Sequence, residues 1–153
     1  MLAREAARPK FIVANAEEGA KLDLTWDEFH ALAKKCKEKG RPFGQALGHS
    51  TGDPPSFCYP YMWSYGAAET DADGKVIQFN KPEFVEGMRK FIQAWKDGYD
   101  VTGTSWDDSN NNRAFLGGTI SATSNAASIY IETLRKPEQY RTEKGGPMKD
   151  DIL

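Results

Sequence analysis

The chain is poor in the residues that usually carry chemistry. It has two cysteines and two histidines among 153 residues, too few for a disulfide framework and without the spacing of a metal site. No H-E-x-x-H, G-x-S-x-G, G-x-G-x-x-G or P-loop pattern occurs, which removes the common signatures of zinc hydrolysis, serine esterases, dinucleotide binding and nucleotide hydrolysis. No apolar run approaches the roughly 20 residues of a membrane span. Charge is nearly balanced at −2, so nucleic acid and anionic membranes are not expected partners. The N-terminus, Met1-Leu2-Ala3-Arg4-Glu5, is charged and lacks the apolar core of a secretion signal. Either the protein is cytosolic or a signal lies outside this sequence. Cys36 falls on an apolar helical stripe and reads as a small buried hydrophobe; a Cys36–Cys58 bridge stays open.

What the chain does have is aromatic residues, at 12%, enough for a folded domain. Thr25-Trp26-Asp27-Glu28 is a capping box. It opens a helix whose apolar face is Trp26, Phe29, Leu32, Ala33 and Cys36 and which Gly40 stops. Phe43 to Gly48 reads as a buried strand, followed by the polar loop His49 to Pro55 and an aromatic helix from Ser56 to Ala68. Asp71-Ala72-Asp73-Gly74-Lys75 is a turn. Asn80 is placed to cap a helix that runs to Gly98 with the stripe Phe84, Met88, Phe91, Ile92, Trp95. Phe11 to Ala14 and Thr119 to Thr123 are further strand candidates, and Ile129 to Leu134 continues a last helix. The pattern is α/β, with helices dominant and only two convincing strands. Residues 1–23 read as a lead-in segment, 24–135 as the structured part, and 136–153 as a polar tail or truncated end. A sheet so small makes a poor independent unit, so the expectation is a piece of something larger.

A strand end that feeds a helix start is where open α/β sheets hold ligands. Thr119 to Asn125 has that form, and its neutral amides and hydroxyls suit a hydroxyl-rich ligand better than a reacting one. Trp63, among Tyr61 and Tyr65, offers a flat ring for stacking, or else belongs to the core. Trp106, in a loop, contacts ligand or pins that loop. Asp107-Asp108 favours a helix start over a catalytic carboxylate pair, and Asn110 to Asn112 reads as a solvated first turn.

Several stretches together resemble the bacterial extracellular solute-binding proteins, the sugar-binding subunits of ABC importers in the group of maltodextrin-binding protein. These are Leu24-Thr25-Trp26-Asp27-Glu28-Phe29, Met62 to Gly66 with Asp71 to Lys75, Asn80 to Glu83, Trp106 to Gly118, and Ile120 to Asn125, in the family's order. The resemblance implies a periplasmic-binding-protein-like lobe, helix-rich with a short, incomplete sheet, and assigns 24–135 to part of the C-terminal lobe. It implies a sugar or polyol held between two lobes, ABC permease subunits as partners of the full-length protein, and a periplasmic or membrane-tethered extracellular location. It implies no cofactor, no metal and no chemistry. The ligand-binding residues it points to are His49, Ser50, Thr51, Ser56, Phe57, Trp63, Trp106, Asn125, Ser128 and Tyr130. The family often carries an aromatic where Ser128 stands, with Tyr130 or Ile129 as substitutes. Exposed apolar faces of such a fragment are expected to drive self-association. Two other readings stay open: a small α/β hydrolase using His49 and Asp53, and a helical interaction module working through the Phe84–Trp95 face.

Overall fold

The computed structural model describes residues 24–152 and the backbone of Ile12–Val13. Most of the lead-in, including Phe11 and Ala14, lies outside the described residues. In chain order the elements are β1 (Ile12–Val13), α1 (Trp26–Glu38), α2 (Asp53–Ser64), α3 (Pro82–Gly98), a 3-10 turn (Val101–Ser105), α4 (Asn110–Leu116), β2 (Ala122–Thr123), α5 (Ser128–Arg135) and a closing 3-10 turn (Met148–Asp150).

α1 starts as its sequence dictates. The Glu28 amide donates to Thr25 Oγ1 (3.3 Å), and the Thr25 amide donates back to Glu28 Oε2 (2.9 Å). The helix lays Phe29 and Ala33 against α3, which answers with Ala94 and Gly98, while Gly87 and Phe91 of α3 face Met62 and Tyr61 of α2. Small residues set how close the two helices come: a Cβ on Gly98 would sit 2.6 Å from the Ala33 Cβ. The expected α3 stripe therefore needs correcting. Met88 and Ile92 lie on the outer side, 37% and 47% exposed. The start of α3 also differs, since the N-cap is Lys81 in extended backbone and Asn80 makes no cap; Pro82 supplies the first-turn geometry. At the other end, Lys37 Nζ donates to the carbonyls of Lys96 (2.9 Å) and Tyr99 (2.8 Å), a cation on the carbonyl end of the helix.

The buried run Phe43–Ala46 threads between two neighbours. The Phe43 amide donates to Gly98 O and the Asp100 amide to Phe43 O. On the other side the Gly44 amide donates to Ala122 O and the Ser121 amide to Pro42 O. Both contacts run parallel, and β2 pairs antiparallel with β1 in the register Ile12 with Thr123. The expected strand is thus extended chain making one rung per neighbour, because Asp100 leads into a 3-10 turn and Thr123 into a loop. Strand content shrinks to two residues at each named strand, and the fold is helix-rich with a fragmentary sheet.

Three apolar clusters hold this frame. Phe29, Ala33, Phe43, Ala94, Tyr99 and Ala122 form the first. Phe57, Tyr61, Met62, Ala67 and Phe91 form the second, joined to the first through Trp26 and Trp95. Phe115, Ile120, Ile129 and Met148 form the third. The last includes a surprise, since the stretch expected to be a polar tail folds back: the Met148 amide donates to Tyr140 O, and Met148 is buried with Tyr140 and Ile152 packed beside it.

Candidate binding site

The carboxyl ends of Phe43–Ala46 and β2 meet the N-termini of α2, α4 and α5. Two polar clusters form there, joined through the first turn of α4. Asn111, fully buried, belongs to one; its neighbour Asn112 belongs to the other.

The first cluster sets the start of α2. The Asp108 carboxylate accepts from Ser50 Oγ (2.6 Å), from the Asp53 amide (2.8 Å) and from the Gly52 amide (3.2 Å). Asn111 Oδ1 accepts from the Ala46 amide (2.7 Å), and its Nδ2 donates to Asp53 Oδ2 (2.7 Å). These bonds explain why α2 begins at Asp53 and not at Ser56: Pro54 and Pro55 fit a first turn, and a distant carboxylate satisfies its free amides. The Ser50 hydroxyl and the Asp53 amide hold the Asp108 carboxyl below its ordinary range. Burial, then the nearby Asp108 charge, pushes the Asp53 carboxyl up, against the bond from Asn111.

The second cluster is neutral. Asn125 Nδ2 donates to Asn112 Oδ1 (2.7 Å) and to Ser128 Oγ (3.2 Å), and Asn112 Nδ2 donates to Ser128 Oγ (3.1 Å). Below it, the Ser124 amide donates to Oε1 of the buried Gln45 (3.2 Å). Asn125 is not the cap of α5; that position is Ala127. Its amide ties α4 to α5 instead.

Of the residues singled out from sequence, Ser50, Asn125 and Ser128 enter these clusters. His49 and Thr51 are exposed beside Ser50, and Tyr130 is exposed near the start of α5. Ser56 is exposed on the first turn of α2, its Oγ donating back to Gly52 O (2.7 Å). Phe57 is corrected to core: its ring is buried, stacked on Tyr61 and packed against Trp26 and Phe91. Trp106 is half-buried and pins its loop, with Nε1 donating to Thr102 Oγ1 (3.0 Å) and its ring lying beside Ile120 over Gly44. Trp63 stands apart, about 15 Å along α2 from Asp53 by helical rise. It is 48% exposed, stacked on Tyr59, and its Nε1 donates to Glu69. Gln45, Asp108 and Asn111 were not read as site-forming from sequence. The Asn110-Asn111-Asn112 run was the available signal, but one of its three amides is core and one is in the neutral cluster.

The carboxylate of Asp53 is engaged by Asn111, and His49 stands exposed on the loop, so no relay of nucleophile and base is assembled there. Among the described residues, no three His, Cys, Asp or Glu side chains are placed to hold a metal, and Cys36 and Cys58 are free thiols.

A helix-rich frame with so little strand, in this topology, has the fold of the periplasmic binding proteins. Comparison with known proteins carries this to a family. The chain belongs to the bacterial extracellular solute-binding proteins, whose family profile matches residues 8–147. Among solved structures it is similar to maltose-bound MalE3 of T. maritima, with 20% identity and a TM-score of 0.69 over 94% of this chain and 36% of that one. It is also similar to an ABC transporter solute-binding protein from Agrobacterium radiobacter K84 in complex with ribitol, at 18% identity and a TM-score of 0.61 over 94% of this chain and 35% of that one. No curated protein matches the sequence. The chain thus spans about a third of the length of the structures it resembles.

Proposed function

We propose that this chain is the ligand-facing part of the C-terminal lobe of an ABC importer's substrate-binding component, and that it holds a sugar or polyol in a cleft completed by a second lobe. In the full-length protein, lobe closure traps the ligand and the closed form docks on permease subunits, in the periplasm or at the outer cell surface. No bond is made or broken in this cycle. The observation that carries the reading is the Asn112–Asn125–Ser128 cluster: neutral donors and acceptors at helix starts, where hydroxyl groups can exchange for internal hydrogen bonds. The complexes with maltose and with ribitol among the structural neighbours favour the same ligand class.

The test is a titration of maltose and ribitol, read by side-chain amide shifts in nuclear magnetic resonance, which register weak binding to a single lobe. Saturable shifts at Asn112 and Asn125 are expected, with affinity falling about tenfold in Asn125→Ala. Shifts confined to other parts of the surface, or none at saturating sugar, would refute the assignment.

A further inference from the structure

Two carboxamides lie fully buried beneath the polar clusters, Gln45 and Asn111. Asn111 uses both ends, accepting from the Ala46 amide and donating to Asp53. Gln45 uses one. Its Oε1 accepts from the Ser124 amide at 3.2 Å, and its Nε2 has no hydrogen-bond partner among the described residues. Chemistry fixes this orientation: turned over, the Gln45 amine would face the Ser124 N–H, donor against donor. The unpartnered end is therefore a donor, and a buried donor left unpaired lowers stability. Methionine would fill nearly the same volume without that loss. Packing alone gives no reason for a glutamine here.

The reason lies in what Gln45 holds. Its own backbone is anchored on both sides, since the Gly44 amide donates to Ala122 O (2.9 Å) and the Ala46 amide to Asn111 Oδ1 (2.7 Å). The segment it reaches is not anchored in that way. From Ser124 to Ala127, among the described residues, the bond to Gln45 is the only one that a backbone amide donates. Asn125 follows Ser124 directly, and its side chain joins Asn112 and Ser128 in the neutral cluster. We propose that Gln45 is a positioning residue for the candidate site: from a rigid, buried base its carboxamide fixes the Ser124–Asn125 corner, and with it the Asn125 amide that meets a ligand hydroxyl. This rests on the carbohydrate reading above. The unpaired Nε2 lowers the stability of the lobe, and the corner is held in one geometry in return.

Gln45→Met removes the bond and the unpaired donor together. Hydrogen exchange at the Ser124 amide should accelerate about tenfold, while the thermal midpoint holds or rises. Affinity for maltose and for ribitol should fall about tenfold in the same variant. A residue with a merely structural role behaves otherwise: the midpoint falls and exchange accelerates alike throughout the chain. That result would overturn the proposal, and so would unchanged affinity with a freed Ser124 amide. The parent chain supplies a test that needs no variant. Its Ser124 amide should exchange more slowly than the amides of Asn125, Ala126 and Ala127, and comparable rates would overturn the pinning bond. A parent chain that binds neither maltose nor ribitol refutes the carbohydrate reading, and exchange at Ser124 then decides alone whether Gln45 holds the corner.

Discussion

His30 shows how a single side chain can set the response to acid. It sits half-buried on α1 among the rings of Trp26, Phe29 and Tyr61, and its Nε2 has no hydrogen-bond partner. Burial lowers its pKa to about 4; the Asp27 charge works against this and the Lys90 charge with it. In the unfolded chain the imidazole takes its proton near its ordinary value of 6.5. Between those values the unfolded state binds more protons, so stability is lost as pH falls from about 6.5 to about 4 and is fully present above that window. The ring edge that meets water screens part of the effect, which leaves about 1–2 kcal/mol. Asp53 acts in the opposite sense: its raised carboxyl takes a proton first in the folded state, so mild acid favours folding there. Thermal midpoints measured across this range should fall more steeply for the parent chain than for His30→Gln. Parallel curves would show that His30 titrates as it does in the unfolded chain. The sequence shows His30 only as a histidine without a metal partner; its burial depends on Tyr61, thirty-one positions away, and no local pattern records that.

At the scale of elements, packing depends on where the small residues are. The apolar stripe of α3 in sequence is Phe84, Met88, Phe91, Ile92 and Trp95, yet the buried line is Gly87, Phe91, Ala94 and Gly98. A helix approaches its neighbour most closely where side chains are absent, so glycine and alanine select the contact face and push Met88 and Ile92 outward. Gly98→Ala tests this. The added methyl meets Ala33 Cβ at 2.6 Å and the backbone of Ala33 and Lys34 at 2.9 Å, and neither can swing aside as a flexible side chain could. A loss of about 1–3 kcal/mol in denaturant unfolding is expected despite the better helix propensity of alanine. A neutral or stabilising result would mean that α1 and α3 separate easily. The same scale shows what was legible and why. The α1 capping box is a local code within four residues, and it formed as read. The start of α2 was not legible, because the group that satisfies its amides is Asp108, 55 residues away from Asp53 in the chain. The site divides in the same way. Asn125 was legible as a polar residue at a strand-to-helix corner and Ser128 only through the family resemblance, whereas Asn111 and Gln45 join the candidate site through burial and long-range bonds.

For the whole molecule, the decisive feature is apolar surface left in water. Val85, Met88 and Ile92 recur at helical spacing along the outer side of α3, and Val76, Ile77 and Phe79 lie in the segment just before it, all at least 37% exposed. Scattered exposed hydrophobics are ordinary, but a row on one helix preceded by three more in ten residues is the composition of a contact face. We expect the isolated chain to associate weakly with itself through this region. Its weight-average mass in sedimentation should rise with concentration. The rise should strengthen in ammonium sulfate and change little in sodium chloride, since apolar contact is favoured by excluded salts while ion pairs are screened. Ile92→Lys together with Val85→Lys should lower the mass at a given concentration without moving the thermal midpoint, because neither side chain is in the core. Phe91→Ala separates this from general unfolding: its ring is buried in the second cluster, so it should cost about 3–5 kcal/mol of stability and raise the mass by exposing core. A monomer at every concentration, in sulfate as in chloride, would mean that these side chains cover one another well enough to need no partner.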